Sequence, residues 1–346
     1  MKTGLAYSEA FLRHETGAHH PERPDRLRAI VAQLRASGTW DALQVWEPEP
    51  TGDATLELIH SATHVAEMRD FIARGGGHID ADTTASAGSW EAALRAAGGV
   101  VEAVERVSSG ALDNAFCLVR PPGHHATPSQ AMGFCLFNNV AIAAAWLLST
   151  GRAKRVAILD YDVHHGNGTQ DAFYERADVL YISTHQYPLY PGTGHWHETG
   201  AGAGAGYTIN LALPPGSGDD VYAGALQQII EPAVRRYAPD FVLVSLGFDA
   251  FWADPLASLR LSIAGAYTPL LRSARELAAE FADSRMVVAL EGGYDLNALG
   301  HGTDAVCRLL LGEEPHADPL GPPPEQLSLR HVESLLASMR ELHKLV

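Results

Sequence analysis

Seven short apolar runs, separated by stretches with the composition of helices, constrain the fold of this 346-residue chain more than any other feature. The runs are continuous rather than alternately polar and apolar, which is typical of strands buried on both faces of a parallel sheet. They are TGLAY (3–7), NAFCLV (114–119), RVAILD (155–160), DVLYIS (178–183), YTINLAL (207–213), DFVLVSL (240–246) and RMVVAL (285–290). Predicted helices lie between them, at 22–36, 89–107, 138–149, 219–237, 262–282 and 303–311.

This order of elements predicts an α/β fold with a central, mostly parallel sheet and helices on both faces. No linker or change in composition divides the chain, so we predict a single domain over residues 1–346, with a C-terminal helix at about 329–344 after GPPPEQ. In such folds ligands bind beyond the carboxyl ends of the strands. The segments that follow the strands are therefore where chemistry is expected.

Composition disfavours several classes of function. The net charge of −16 argues against a nucleic-acid partner but suits cationic substrates, such as Lys-rich peptides or polyamines. No segment has the roughly 20 apolar residues that span a bilayer, and the N-terminus has no signal-peptide pattern, so we predict a cytoplasmic protein without membrane attachment. Cys117, Cys135 and Cys307 form no C-x-x-C pair, which predicts reduced thiols and no thiolate zinc site.

Four of the predicted strands are each followed by ionisable or metal-binding side chains. The run ending at 119 leads to RPPGHHA with His124 and His125, and the run ending at 160 leads through DYDVHHGNG (160–168). The last two runs lead to GFDA with Asp249 and to EGGY with Tyr294. A lone Asp at such a place is usually a helix cap, and a His pair is often only solvated. Four such groups at one sheet edge instead predict a metal-dependent or acid/base site.

The stretch DYDVHHGNG offers a mixed oxygen and nitrogen ligand set. In an extended chain Asp160, Asp162 and His164 would share one face. With Asp249 they form a mixed set from which three ligands, two carboxylates and the imidazole, would suit a divalent ion of the zinc or ferrous type and leave the fourth position for water. Two carboxylates and a neutral imidazole cancel the charge of such an ion, so its water is less acidified than at a three-His site, and a separate base is needed.

Other residues of the same segments could supply that base and its support. His124 and His125 are the candidate bases, and Asp160 and Asn167 could orient them. Tyr294 lies after two glycines and could donate a hydrogen bond to a developing oxyanion.

The motifs RPPGHHA, GFCLFNN, DYDVHHGNGTQ, PGTG, GFDA and EGGY, in this order, resemble the histone deacetylase family with its bacterial amidohydrolase, acetoin-utilisation and acetylpolyamine amidohydrolase relatives. The resemblance extends from HPERPDR (20–26) to about residue 311. It implies an arginase/deacetylase-like fold and a zinc-dependent amidohydrolase that converts an N-acetyl amide, such as acetyl-lysine in a protein or peptide, to acetate and a free amine. Ferrous iron is the alternative metal.

The resemblance also implies a role for individual residues. Asp162, His164 and Asp249 match the metal ligands. His125 matches the general base and acid, and His124 matches its electrostatic partner, with Asp160 and Asn167 behind the two histidines. Tyr294 matches the residue that polarises the substrate carbonyl. Phe134 and Tyr190 match the aromatic walls of the substrate channel, to which Gly133, Leu256 and Gly293 also belong, and Arg26 matches the arginine of an inner acetate channel. A structural potassium ion is implied beside Asp160, with backbone carbonyls near His164 and Ser183–Thr184.

Several alternatives stay open at this stage. An acetylpolyamine amidohydrolase is the main one, although Leu256 stands where an acidic residue would pair with a distant ammonium. A two-manganese ureohydrolase is disfavoured because Gly166 and Phe251 replace the additional ligands, and a non-catalytic acyl-lysine reader is disfavoured by the intact site. Either Asp80 or Asp82 could be the rim carboxylate. His195 and His197 are predicted to be rim or surface residues, and homo-oligomerisation is left open.

Overall fold

Ten strands are present in the computed structural model, which describes residues 1–345. In chain order they are β1 Thr3–Ala6, β2 Gln44–Trp46, β3 Gly77–His78, β4 Thr84–Ala85, β5 Asn114–Cys117, β6 Val156–Asp160, β7 Val179–Gln186, β8 Thr208–Leu213, β9 Phe241–Leu246 and β10 Met286–Leu290. Eight of them form one sheet in the order β2-β1-β5-β10-β9-β6-β7-β8, and every neighbouring pair is parallel. Strands β3 and β4 form a separate antiparallel hairpin.

All seven apolar runs contain a strand of the large sheet, so the prediction of a parallel sheet is confirmed. The three short strands β2, β3 and β4 were missed. The edge strand β2 has only three residues, two of them exposed, and therefore carries no apolar run. The hairpin strands have two residues each, which is too short for any periodic pattern.

Twelve α-helices connect and cover the strands in the described residues 1–345. They are α1 Asp25–Ala36, α2 Thr39–Ala42, α3 Asp53–Leu56, α4 Ala62–Ala73, α5 Ser89–Ser108, α6 Asn139–Ser149, α7 Asn167–Phe173, α8 Asp219–Ala225, α9 Glu231–Tyr237, α10 Thr268–Phe281, α11 Leu296–Leu311 and α12 Leu329–Leu342. Five-residue π-helical segments, Leu226–Ile230 and Ile263–Tyr267, join α8 to α9 and precede α10. Short 3₁₀ segments lie at Glu9–Arg13 and Gly202–Gly204.

The helix predictions were right in place but not always in extent. Helix α11 begins at Leu296 rather than at 303, because the Asp295 side chain caps it by accepting hydrogen bonds from two backbone N–H groups. Helix α4 was missed although Ser61 caps it in the same way. Helix α7 begins within DYDVHHGNG, a stretch that we expected to continue as extended chain.

Helices cover the sheet on both faces and bury its central strands. Helices α5 and α6 pack together against one face, and α1 and α10 pack with α11 against the other. Every residue of β6, β9 and β10 is buried. Each large aliphatic side chain buried there, such as Ile158 or Val244, contributes about 1.5–3 kcal/mol to stability. Among residues 1–345 no helix is both long and apolar enough to cross a bilayer.

The order of the central strands determines where the polar segments meet. Strands β5, β10, β9 and β6 are consecutive neighbours in the sheet. Because they are parallel, their carboxyl ends lie side by side. The segments that contain the candidate residues leave the sheet from these four ends.

Candidate active site

The structure brings Asp162, His164 and Asp249 together in a buried cluster. One ligand atom from each lies within 4.8 Å of the others, and this is the only such cluster of three His, Cys, Asp or Glu side chains in residues 1–345. The His164 Nδ1 atom lies 3.1 Å from Asp162 Oδ1 and 3.2 Å from Asp249 Oδ2. The chain bends after β6 rather than remaining extended, and the His164 N–H donates to Asp162 Oδ1 across that bend.

The electrostatics of this cluster favour a cation. Burial opposes charge on His164, but its hydrogen bonds to the two carboxylates raise its pKa to about 10. Burial also raises the pKa of Asp249, and the nearby Asp162 carboxylate adds to that effect. A divalent cation would relieve the repulsion between the carboxylates and take the place of the imidazole proton.

Two glycines leave the space that this cluster occupies. A Cβ atom at Gly247 would lie 2.1 Å from Asp162 Oδ2, and one at Gly292 would lie 2.1 Å from Asp249 Oδ2. The Gly292 N–H also donates to Asp162 Oδ2 over 2.8 Å. The donor set, its burial and this glycine cradle therefore fit a zinc or ferrous ion.

His124 and His125 lie beside the cluster, with ring centroids 4.1 Å apart, and have different partners. His124 Nδ1 lies 3.1 Å from Asp160 Oδ2, an oxygen that also accepts a hydrogen bond from the Tyr181 hydroxyl. Burial opposes charge on His124, but the Asp162 and Asp160 carboxylates outweigh it and raise its pKa well above its usual range. This histidine is therefore suited to remain positively charged.

His125 has the opposite character. Its Nδ1 atom lies 2.8 Å from the amide oxygen of Asn167, so Nδ1 carries the hydrogen and Nε2 is left as an acceptor. Burial and the neighbouring imidazoles lower the pKa of His125 well below its usual range. Gly133 has φ +56°, and a Cβ atom there would lie 2.4 Å from the His125 ring. The pair thus combines a neutral acceptor with a charged neighbour, an arrangement that suits acid/base chemistry.

Tyr294 lies at the end of the segment that follows β10. Its N–H donates to Asp254 Oδ2 over 2.8 Å, and the Arg26 guanidinium lies 5.2 Å from its ring centroid. Burial raises the pKa of Tyr294 well above its usual value, with a smaller contribution from Asp249, so its hydroxyl remains a donor.

A cavity of about 200 Å³ reaches this cluster from the surface. Its walls include both aromatic residues predicted for the channel, Phe134 and Tyr190, whose rings pack edge-on against Tyr294 and His125, respectively. Phe134 has φ +68°, a conformation that costs a non-glycine residue about 1–3 kcal/mol and is frequent at functional sites. The remaining lining residues are Asp82, Pro122, His124, Gly133, His164, Leu189, Leu256 and Gly292.

Of the two candidate rim carboxylates, Asp82 lines the cavity. Asp80 instead closes the turn between β3 and β4, where its Oδ1 accepts hydrogen bonds from the N–H groups of Asp82 and Thr83. The Thr83 hydroxyl donates to Asp82 Oδ1 and accepts a hydrogen bond from the Phe134 N–H. This hairpin therefore ties the rim to the aromatic wall.

Two predicted residues do not line the cavity. Arg26 is fully buried and donates to the Gly293 carbonyl, Glu22 and the Glu291 carbonyl, so it supports the Tyr294 segment from behind, and its place in an inner acetate channel stays a prediction. Gly293, with φ +112°, packs against Phe248, and Gly292 is the glycine at the cavity wall.

The other histidines of the motifs lie apart from the cavity. His165 bonds to Thr193 and Gln170 and is a structural residue. His195 and His197 stack with Trp196 in a loop outside the cavity lining. The three cysteines are buried and unpaired.

Sequence reasoning missed two buried carboxylates. Glu291 accepts hydrogen bonds from the N–H groups of Gly123 and His124 and from the Ser245 hydroxyl, so it fixes the His124 segment. Burial raises the pKa of Glu291 to about 7. Glu22 joins Arg26 to Arg120 behind the site. An acidic residue at the end of an apolar run was a usable signal for Glu291, whereas Glu22 stands in a surface-like sequence and offered none.

Known proteins are similar to this chain over most of its length. A family profile described as "Histone deacetylase domain" matches residues 20–310. A "Probable deacetylase" of Archaeoglobus fulgidus is 44% identical over 299 residues, which cover 86% of this chain and 82% of that protein. A "Histone deacetylase-like amidohydrolase" of Pseudomonas aeruginosa is 37% identical over 311 residues, which cover 85% of this chain and 82% of that protein.

A crystal structure with a similar fold is also known. The crystal structure of the HDA15 HD domain superposes with a TM-score of 0.90 at 36% identity, covering 99% of this chain and 94% of that one. The sequence matches and the superposition agree with the predicted arginase/deacetylase-like fold. The chain belongs to the histone deacetylase family of hydrolases.

Proposed function

We propose that this protein is a zinc-dependent deacetylase that hydrolyses the N-acetyl amide of acetyl-lysine, in a protein or peptide, to acetate and a free amine. The observation that carries the proposal is the buried Asp162, His164 and Asp249 cluster at the end of an aromatic-walled cavity that also contains His125 and Tyr294. Asp162, His164 and Asp249 would hold the ion. When bound, a zinc ion supplies Lewis acidity toward the amide carbonyl and toward the attacking water.

The chain's own residues would handle the proton transfers. His125 Nε2 is free to take a proton from the attacking water, because Asn167 holds the other ring nitrogen. The same nitrogen can then deliver that proton to the leaving amine. Charged His124 would stabilise negative charge that develops beside it, and Asp160 and Glu291 keep it in place.

Tyr294 would donate a hydrogen bond to the carbonyl oxygen as that oxygen gains negative charge. Its hydroxyl remains protonated at neutral pH, and its main chain is anchored by Asp254. Phe134 and Tyr190 would hold the aliphatic stem of the substrate between their rings, which excludes water from the reacting bond.

The acyl-lysine substrate is favoured over a polyamine by the wall residue Leu256, which is 37% exposed at the cavity and cannot pair with an ammonium group. Asp82 supports the polyamine alternative, because its carboxylate borders the same cavity. Ferrous iron remains the alternative metal, and the potassium ion beside Asp160 and the cytoplasmic location remain predictions.

A substrate panel on the purified protein tests the proposal. We expect turnover of an acetyl-lysine peptide that a chelator abolishes and that added zinc restores. The same assay should include acetylputrescine and acetylspermidine, and a 100-fold higher kcat/KM for either would establish the polyamine activity instead. Protein that contains zinc and turns over none of these substrates would favour the non-catalytic reader.

A further inference from the structure

A second cavity lies at the opposite edge of the sheet, beside the amino ends of β6, β7 and β8. Its volume is about 560 Å³, compared with about 200 Å³ for the active-site cavity. Arg155, Ala177 and Tyr207 line it just before these three strands begin, and the end of α9 and the residues after α12 complete the wall. Eight-residue β7 separates the two edges by roughly 25 Å. The cavity is therefore distinct from the active site.

Three cationic side chains border this cavity in a strongly acidic protein. They are Arg155, Arg236 and Lys344, all exposed to solvent. No carboxylate of residues 1–345 lies within ion-pair distance of any of them. The two arginines each donate to a main-chain carbonyl, Arg155 to Tyr237 and Arg236 to His343, over 2.8 and 2.6 Å, respectively. Within the described part of the chain, these three groups therefore have no carboxylate partner.

The acidic residues closest to the cavity are engaged by other groups. Asp178 forms an ion pair with Arg176 at 2.7 Å. Asp240 accepts hydrogen bonds from the N–H groups of Lys154 and Arg155, each over 2.9 Å. Asp240 keeps its charge because main-chain N–H groups are neutral donors, but no carboxylate of residues 1–345 lines the cavity, and its three cationic side chains favour anions there.

The rest of the wall combines the polar residues Thr199 and His343 with apolar side chains. Leu342 is 40% exposed there, and the rings of Tyr207 and Tyr237 meet edge to face at 5.7 Å. The adjoining wall contains the small side chains of Ala177 and Ala233. An inorganic ion would leave this surface uncovered, whereas an organic anion with an apolar body would cover it.

We propose that this cavity binds a small phosphate ester. The phosphate would lie among Arg155, Arg236 and Lys344, where guanidinium groups donate paired hydrogen bonds to its oxygens. The organic part would contact Leu342 and Tyr207. Because the cavity joins α9 to the end of α12, bound ligand would stabilise the folded protein.

Calorimetric titration of the full chain with phenyl phosphate and with inorganic phosphate, at constant ionic strength, tests this proposal. We expect one saturable site that binds phenyl phosphate more tightly than phosphate and that raises the melting temperature. Arg155→Gln and Lys344→Gln should each weaken phenyl phosphate binding roughly tenfold. The matched control is Arg330→Gln, which removes the same charge from an exposed position of α12 outside the cavity and should leave binding unchanged.

The outcomes separate this proposal from the deacetylase function. All three variants should retain the circular dichroism spectrum of the parent protein and its turnover of acetyl-lysine peptide. Phosphate bound at the active site would not respond to Arg155→Gln or Lys344→Gln, so binding that both variants leave intact would overturn the proposal. Equal affinity for phenyl phosphate and inorganic phosphate, or no saturable binding, would also overturn it.

Discussion

Two buried charged clusters lie on either side of the segment that carries Tyr294, and they differ in how their charges are compensated. Behind the segment, Glu22 bonds to Arg120 and Arg26, and the arginines also donate to main-chain carbonyls of Phe11, Glu291 and Gly293. In front of it, the Asp162 and Asp249 carboxylates both bond to the His164 imidazole, and His124 Nε2 lies 3.8 Å from Asp162 Oδ1. The first cluster holds one carboxylate between two guanidinium groups, whereas the second crowds carboxylates whose charge a divalent cation can neutralise.

This difference in charge compensation indicates which of the two clusters could bind an ion. The arginines of the first cluster donate to Glu22 and to three main-chain carbonyls, so that cluster holds distant segments together. Buried carboxylates that repel each other beside a cavity instead attract a cation that the chain itself does not provide. The segment 291–294 connects the two, since Arg26 holds its Gly293 carbonyl and Asp162 accepts from its Gly292 N–H.

The largest effect on turnover is expected from Asp249→Asn. Removing a proposed metal ligand should lower kcat by at least about 10³-fold. It should not destabilise the metal-free protein, because it relieves repulsion between two neighbouring carboxylates. Turnover assays, metal analysis and urea denaturation with a chelator provide the measurements. A variant that keeps stoichiometric zinc and parental turnover would contradict the role of Asp249 as a metal ligand.

Glu22→Gln should instead lower the stability of the folded protein. Loss of the carboxylate leaves two buried guanidinium groups without a counterion, which should lower the free energy of unfolding by about 3–5 kcal/mol. Urea denaturation measures this change. Glu314→Gln is the matched control, because it breaks the exposed pair with Arg272 and should leave the denaturation midpoint unchanged. Equal midpoints for all three proteins would remove the structural role of Glu22.

Tyr294→Phe tests the segment between the clusters. The ring and its contact with Arg26 are kept while the hydroxyl donor is lost, so kcat should fall about 10²-fold with metal content and stability unchanged. Steady-state kinetics with metal analysis is the measurement. Near-parental kcat would remove Tyr294 from the mechanism.

Acid should weaken the Glu22 cluster in a defined pH window. Burial opposes the ionisation of Glu22, but Arg120 and Arg26 outweigh it and lower its pKa from 4.5 to about 2. Its stabilising contribution is therefore complete above pH 4.5 and is lost as the pH falls toward 2. The difference in unfolding free energy between the parent and Glu22→Gln should narrow by about 2 kcal/mol between pH 5.5 and pH 3. A constant difference would show that Glu22 titrates normally.

The smallest effect on turnover is expected from Asn167→Ala. This variant removes the amide that orients His125, so kcat should fall about tenfold while the proposed metal ligands stay intact. The pH profile of kcat should shift as well, because the ring loses the partner that fixes its hydrogen on Nδ1. Asn297→Ala, at an exposed position of α11, is the control and should match the parent in both respects.

The sequence by itself determined the sheet and the chemical content of its carboxyl edge. The apolar runs at 156–160 and 286–290 are local signals, and each is followed directly by residues that the structure brings into one place, such as Asp162 and Tyr294. Parallel packing was enough to predict their convergence, because it leaves the carboxyl ends of neighbouring strands at the same edge.

Only the tertiary structure decided which groups support that edge. Glu22 and Arg120 are 98 residues apart, and Glu291 reaches the His124 segment across 167 residues, so no local pattern could reveal either contact. The choice of Asp82 over Asp80 depends on a hairpin with two-residue strands. Residue types follow from local sequence, whereas charge compensation is a property of whichever segments the fold packs together. That compensation distinguishes the Glu22 cluster from the proposed metal site.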